Sequence, residues 1–398
     1  MEVNNMPPAC FSVCINMAVQ RKARVKGFKK FSEGQDPECT TGCVCEELWF
    51  TQKLDHFNGA DSRQWKQRFF VNEAFSRPEG PVFLMIGGEG PANVAWMQNG
   101  TWLKYAEKLG ALCFMLEHRF YGKSRPTSDL STGNLRFLSS RQALADLAHF
   151  LSVTAETRGL SDRNWVAFGG SYPGSLAAWS RLKYPHLIHA SVATSAPVHA
   201  TVNFPEYLEV VRRSLASENA DCPKIVEEAS NTLVKLLKDP KTYDNITKDF
   251  NLCSKLQIQT EMDSAYFLET LAGNFMDVVQ YNEDNRGFEL KRRLEKSREE
   301  QRRGTNAPGS CLSNTKSEFR GTSRFQGVTG TNITIKVLCE AMSDSSLGDP
   351  YQRYAAVARF MMEAFSVKWR QWVYQTCTEF GFYQSTDSPD QPFSGFPL

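Results

Sequence analysis

The segment Asn164-Trp-Val-Ala-Phe-Gly-Gly-Ser-Tyr-Pro-Gly-Ser-Leu-Ala-Ala-Trp179 constrains this chain more than any other. An apolar run passes into Gly169, Gly170, Ser171, Tyr172, Pro173 and Gly174, and then into an Ala-rich helical stretch. A strand that turns directly into a helix needs glycine where backbones crowd or φ is positive. Such a turn lifts Ser171 clear of the sheet, as a nucleophile elbow requires. The helix N-terminus behind it offers N–H groups and a positive dipole end to a developing oxyanion. The second glycine stands three residues after the serine; Pro173 occupies the place where the strict G-x-S-x-G pattern has glycine. G-x-S by itself is common, and a tight glycine turn with an idle serine is the alternative. Its place between a buried strand and a helix favours the elbow.

The surrounding pattern supplies a sheet for that turn. Trp49–Gln52 and Gln67–Asn72 read as strands, and Pro81–Gly88, Ala111–Phe120, Asn164–Gly170 and Ala190–Pro197 are apolar runs. Between them lie helical patterns at Val94–Leu109 and Ser140–Thr157. Buried strands alternating with amphipathic helices specify a parallel sheet covered on both faces, an α/β fold. From Pro205 to about Phe365 helical segments dominate, such as Lys224–Leu237 and Tyr354–Phe365. The expected organisation is a leader at 1–45, a core at 46–204, a mainly helical cap at 205–370, and a return toward the core at 371–398. Within the cap, a doubly charged stretch near 289–326 reads as a solvated insertion.

The chain has 398 residues, with 46 Lys+Arg against 44 Asp+Glu. That balance argues against nucleic acid as the main partner, since counterion release needs a concentrated basic face. No run of eighteen apolar residues is present, so no membrane span is expected. Eleven cysteines and N-x-[ST] sequons at Asn99, Asn245 and Asn332 point to an oxidising, glycosylating route. The first twenty residues lack the basic start and continuous apolar stretch of a signal peptide. Cys39, Cys43 and Cys45 have no histidine near them and lack the spacing of common zinc modules, so no metal and no cofactor is expected.

A second oxyanion donor would come from a loop after an earlier strand, where Gly87-Gly88-Glu89-Gly90-Pro91 stands; Gly88 is the candidate. A plain strand-to-helix glycine turn is the alternative there. Glu89 is a candidate for facing a cationic group of a substrate, such as a peptide amino terminus.

Several stretches together resemble one family: GGEGP at Gly87, EHRFYGKS at Glu117, FLSSRQALADLAHF at Phe137, GGSYPGSLAAWSRLKYPH at Gly169, SAPV at Ser195 and QWVYQTCTEFGFY at Gln371. It is the serine peptidase family of lysosomal Pro-X carboxypeptidase, dipeptidyl peptidase II and thymus-specific serine protease. The wording is most similar to the last of these, from about Glu46 to the C-terminus except the charged insertion. The resemblance implies an α/β-hydrolase core with a helical cap and exopeptidase cleavage of peptide substrates, often after proline. It implies lysosomal, endosomal or secreted location, Ser171 as nucleophile and the Tyr172 N–H as oxyanion donor. It also implies a cap disulfide between Cys222 and Cys339. A homodimer is neither required nor excluded.

One part of the pattern is missing. This fold supplies the catalytic base in the order Ser…Asp…His. The six histidines, His56, His118, His149, His186, His189 and His199, all lie at or before position 199. In the family the acid and the base follow a segment matching TCTEFGFY at Thr376. The triad Asp and His, and the last strands of the core, are therefore expected to be absent from these residues, and activity to be impaired. His118 and His199 stand near strand ends and read better as polar end residues than as bases. Asp344, Asp349, Asp387 and Asp390 have no motif around them. Cys253 and Cys377 resemble cysteines whose family partners lie in the missing segments. A non-catalytic peptide-binding protein, or an esterase or lipase, would share the same fold.

Overall fold

The computed structural model describes residues 47–282, 334–364, 370–381, 383–393 and 395–397. The expected leader, the charged insertion near 289–326 and the sequon at Asn332 lie outside them. Among the described residues, 47–200 and 370–381 form one compact unit. Residues 201–282, 334–364, 383–393 and 395–397 form a second.

The first unit is built on a six-stranded sheet: β1 (Glu47–Lys53), β2 (Gln64–Asn72), β3 (Val82–Ile86), β4 (Leu112–Leu116), β5 (Trp165–Gly170) and β6 (Ala190–Thr194). The strand order is β1-β2-β4-β3-β5-β6. β2 runs antiparallel to β1 and β4, whereas β3, β4, β5 and β6 are parallel. β3 and β4 are buried at every position, which is why their sequences are continuous apolar runs instead of alternating ones.

The period of two assigns side chains to two layers. Phe83, Met85, Cys113, Met115 and Phe168 pack with Trp102, Leu103 and Ala106 of α1 (Thr101–Leu109). On the other side, Phe69 and Phe114 meet Phe150 of α3 (Ser140–Thr157), and Phe114 stacks on Trp165. A short helix, α2 (Thr132–Leu135), precedes α3, and α4 (Tyr172–Lys183) follows β5. An antiparallel second strand, this strand order and helices on both faces make the unit an α/β-hydrolase fold, as the resemblance implies.

Two elements differ from their sequence pattern. The helical stretch at Val94–Leu109 divides into a 3-10 turn, Val94–Met97, and α1, because Gly100 between them has φ 117°. The apolar run Ala111–Phe120 forms a strand only to Leu116. Glu117 beyond it is buried and turned to bind other segments, and Phe120 has φ 68°.

The second unit is helical, with α5 (Glu206–Glu218), α6 (Cys222–Leu237), α7 (Tyr243–Asp249), α8 (Glu261–Gln280), α9 (Ile335–Ser343) and α10 (Pro350–Ala364). Leu208, Val226, Leu271, Leu338 and Tyr354, one from each longer helix, meet in a common core with Phe393 and Phe396. Thr260 and Asp263 form a reciprocal capping box at the start of α8. Cys222 and Cys339 are joined, tying α6 to α9. Cys253 is also disulfide-bonded, which corrects the expectation that it lacks a partner. No described helix is long and apolar enough to cross a membrane.

The Cys222–Cys339 bridge closes a sequence separation of 117 residues. Loop closure of that size restricts the unfolded chain strongly, and removing such a bridge costs about 2–5 kcal/mol. Cys222→Ala/Cys339→Ala is expected to lower the unfolding free energy read from urea titration of helix loss by that amount, with a correspondingly lower midpoint. An unchanged midpoint would show that the bridge adds no stability.

Candidate active site

β5 ends at Gly170 and α4 begins at Tyr172, so Ser171 carries the whole change of direction. Its backbone sits at φ 62° and ψ −135°, a region costing a non-glycine residue on the order of 1–3 kcal/mol. The turn is held from both sides. Ser171 N–H donates to Thr194 O of β6 at 2.9 Å, and Ser171 O accepts from Gly174 N–H at 2.9 Å.

The glycines flanking it are demanded by close backbone approach. A Cβ on Gly169 would lie 2.1 Å from Pro173 O, where α4 passes over the end of β5. On Gly174 it would meet Ala196 Cβ at 3.0 Å and Thr194 O at 3.1 Å. The glycine three residues past the serine therefore serves the packing of α4 on β6. Pro173 fits because the first helical turn has no acceptor for the N–H that proline lacks.

Pro173 also explains Gly88. A Cβ at Gly88 would sit 2.2 Å from Pro173 Cγ, so the loop after β3 touches the elbow only as glycine. Gly87 is held by its N–H to Leu116 O at 2.8 Å. Glu89 is partly buried, and its charge acts on the Tyr121 and Tyr172 phenols. The Tyr172 N–H stands at the first position of α4, where helices leave N–H groups without an intrahelical acceptor.

Tyr172 itself is buried, and its hydroxyl belongs to a chain of fixed donors. His118 Nδ1 lies 2.7 Å from Arg119 O. A carbonyl only accepts, so Nδ1 carries the proton. His118 Nε2, 3.0 Å from the Tyr172 hydroxyl, then accepts the Tyr172 proton. Gln375 Nε2 donates to the Tyr172 oxygen at 3.0 Å, and Tyr121 donates to Gln375 Oε1 at 2.7 Å. His118 is thus consumed by structure, in line with the polar strand-end reading.

The other histidines make contacts with other residues or lie exposed. His56 Nε2 lies 2.7 Å from Asp146 Oδ1, and His149 Nδ1 lies 2.8 Å from Gln52 Oε1. His186 rests edge-on against Tyr184, and His189 and His199 are exposed. Among the described residues no histidine hydrogen-bonds Ser171. Asp344, Asp349 and Asp387 hold local turns or contacts through Ser346, Gln352 and Asn203. No described group of three or more His, Cys, Asp or Glu is placed to hold a metal ion.

Buried ions support the elbow, and most were not singled out from the sequence. Glu117 accepts from Arg68, from the N–H groups of Ala92 and Lys123, and from Ser124 Oγ. Gly122, at φ 55°, leaves room for that carboxylate, which a Cβ there would strike at 1.9 Å. Arg119 grips Asp146 of α3 through Nε at 2.6 Å and a second nitrogen at 2.7 Å. Burial works against the Asp146 carboxylate, but Arg119 and His56 hold it below the usual range. One signal was readable: Asp146 stands between Gln142 and Phe150 on the buried face of α3, where an acid requires a buried partner.

The burial of His118 has a consequence in acid. Burial pushes its imidazole down to about 4 from the ordinary 6.5. The unfolded chain takes up this proton below about 6.5 and the folded chain does not, so stability is full above that pH and falls toward pH 4. The full loss is about 3 kcal/mol. Urea unfolding at pH 7, 5.5 and 4 is expected to show this slope, and His118→Gln to reduce it. Equal slopes in both proteins would contradict the buried neutral imidazole.

A family model described as serine carboxypeptidase S28 matches residues 52–398. A Caenorhabditis elegans protein named as a serine protease is 38% identical over 343 residues, covering 85% of this chain and 64% of that protein. Human thymus-specific serine protease is 36% identical, with 88% of this chain and 66% of that one covered. Human lysosomal Pro-X carboxypeptidase is 32% identical over 53% of this chain and 44% of its own length. The chain therefore spans two thirds or less of the length of these relatives. With the family model covering nearly all of it, the chain belongs to the serine carboxypeptidase S28 family of peptidases.

Proposed function

We propose that this chain is a serine-type exopeptidase acting on peptides, often after proline, through an acyl-enzyme on Ser171. The observation that carries this reading is the conformation of Ser171: positive φ on a residue that is not glycine, at the N-terminus of a helix. Strain of this kind persists only where surrounding structure imposes it, and it concentrates at functional sites. In the proposed reaction the Ser171 oxygen attacks the carbonyl carbon of the scissile peptide bond. The negative charge that develops on the carbonyl oxygen is met by the N–H groups of Tyr172 and Gly88. Glu89, beside that loop, attracts a cationic substrate amino terminus.

The attack also needs a base to take the serine proton. The six histidines of the sequence all have other partners or lie exposed, and we assign none of them that role. These 398 residues alone are therefore an impaired catalyst in this reading. The same observation favours a second reading, a non-catalytic peptide-binding protein of the same fold.

A secretory, lysosomal or endosomal route is supported by the disulfides at Cys222–Cys339 and Cys253. Asn99 and Asn245 are exposed and open to glycosylation.

The experiment is reaction of the purified chain with a fluorophosphonate, followed by peptide mapping and a proline-containing peptide assay. Slow labelling at Ser171 is expected, none in Ser171→Ala, and turnover about 10⁶-fold below that of a complete triad. Labelling elsewhere, or hydrolysis surviving Ser171→Ala, overturns the assignment. Rapid turnover overturns the impairment. Peptide binding without labelling, unchanged in Ser171→Ala, selects the second reading.

A further inference from the structure

We infer that the segment 370–381 is a clamp on the elbow, and that Gln375 and His118 are positioning residues that hold the Tyr172 N–H and the Ser171 backbone in place. The inference rests on the proposed role of Ser171. Its geometry is independent of that role.

The segment consists of α11 (Arg370–Gln375) and a π turn, Thr376–Phe380. It belongs to the sheet-bearing unit, although the described chain immediately before and after it belongs to the helical one. Its contacts spread over three parts of its own unit. Arg370 donates to Leu130 O at 2.8 Å and to Thr132 Oγ1 at 3.2 Å. Gln371 donates to Phe120 O at 3.2 Å. Glu379 accepts from Ser140 N–H at 2.8 Å and from Ser140 Oγ at 2.7 Å, at the first residue of α3.

The centre of the segment bears on Tyr172. The rings of Trp372 and Phe380 lie 5.4 Å and 5.5 Å from the Tyr172 ring, and Gln375 donates to its hydroxyl. His118 meets the same hydroxyl from the end of β4. Tyr172, Gln375 and His118 are all buried.

In this chain of bonds the donors and acceptors around the Tyr172 hydroxyl are fixed. Arg119 O fixes the His118 proton on Nδ1, so the Tyr172 proton points to Nε2. The Tyr172 oxygen must then accept, and Gln375 Nε2 donates to it. Gln375 Oε1 is occupied by Tyr121. A side chain held by two hydrogen-bond partners and two tilted rings is confined to one rotamer. That rotamer anchors the first turn of α4 next to a strained residue, which needs surrounding structure to over-determine it. Loss of the anchor lets the turn relax and moves the N–H groups aimed at the oxyanion. Displacements of about 1 Å cost on the order of 100-fold in rate.

The experiment compares the full chain with Gln375→Ala, Tyr172→Phe, the double variant, and Leu271→Ala as a destabilised control in the helical unit. Three readouts are taken: melting temperature, backbone hydrogen exchange of 165–180, and the rate of Ser171 labelling by a fluorophosphonate. Both single variants are expected to raise exchange in 165–180 and slow labelling about 10-fold or more, with little further effect in the double variant. Leu271→Ala is expected to lower melting while leaving the other two readouts unchanged. Unchanged exchange and labelling in Gln375→Ala and Tyr172→Phe overturn the clamp and leave the function standing. Raised exchange in a chain whose Ser171 never labels overturns the function and leaves the clamp standing.

Discussion

Three consecutive polar side chains, Glu117, His118 and Arg119, are buried at the end of β4, and the rest of the first unit is arranged around satisfying them. Burying such groups is tolerable only when each is fully partnered. Arg119 meets this condition completely. Its five N–H donors reach both Asp146 oxygens and the carbonyls of Leu54, Phe137 and Lys53. It thereby joins the end of β1, the loop before α3 and α3 itself. Glu117 gathers Arg68 of β2 with the loops at Ala92 and Lys123. Deleting one member of such a set leaves an uncompensated buried charge, at about 3–5 kcal/mol.

His118, between these two ions, transmits the order to the elbow. Its ring is oriented by Arg119 O and in turn orients Tyr172. The elbow is thus supported from below by polar bonds and from beside by backbone contact. Gly88 and Pro173 fit only because one lacks a side chain where the other has a ring. The loop and the turn that would share an oxyanion are consequently locked in mutual position. The chemistry assigned to Ser171 depends on this rigidity, since a preformed site avoids reorganisation at the moment of reaction.

Much of this was legible in the residues. β3, β4 and β5 announce themselves as continuous apolar runs because both faces of the sheet are covered. The elbow was readable because Gly169, Ser171 and Gly174 sit where a strand becomes a helix. The helical pattern from Val94 misled at Gly100, since periodicity does not register a single residue at positive φ. The strand ended early at Leu116 for a similar reason: nothing local says that Glu117 must turn to meet Arg68. The hold of 370–381 on Tyr172 was out of reach. Gln375 and Tyr172 are 203 positions apart, and no periodicity relates them.

The sequence by itself determined the alternation of strands and helices, the strained serine turn and the family, because these reside in short-range pattern and steric need. The tertiary structure alone decided which polar groups became structural. His118 and Asp146 could each have been catalytic by composition. Their partners, Tyr172 and Arg119, are brought to them by folding, and both groups are buried with their hydrogen bonds directed to those partners instead of to a substrate.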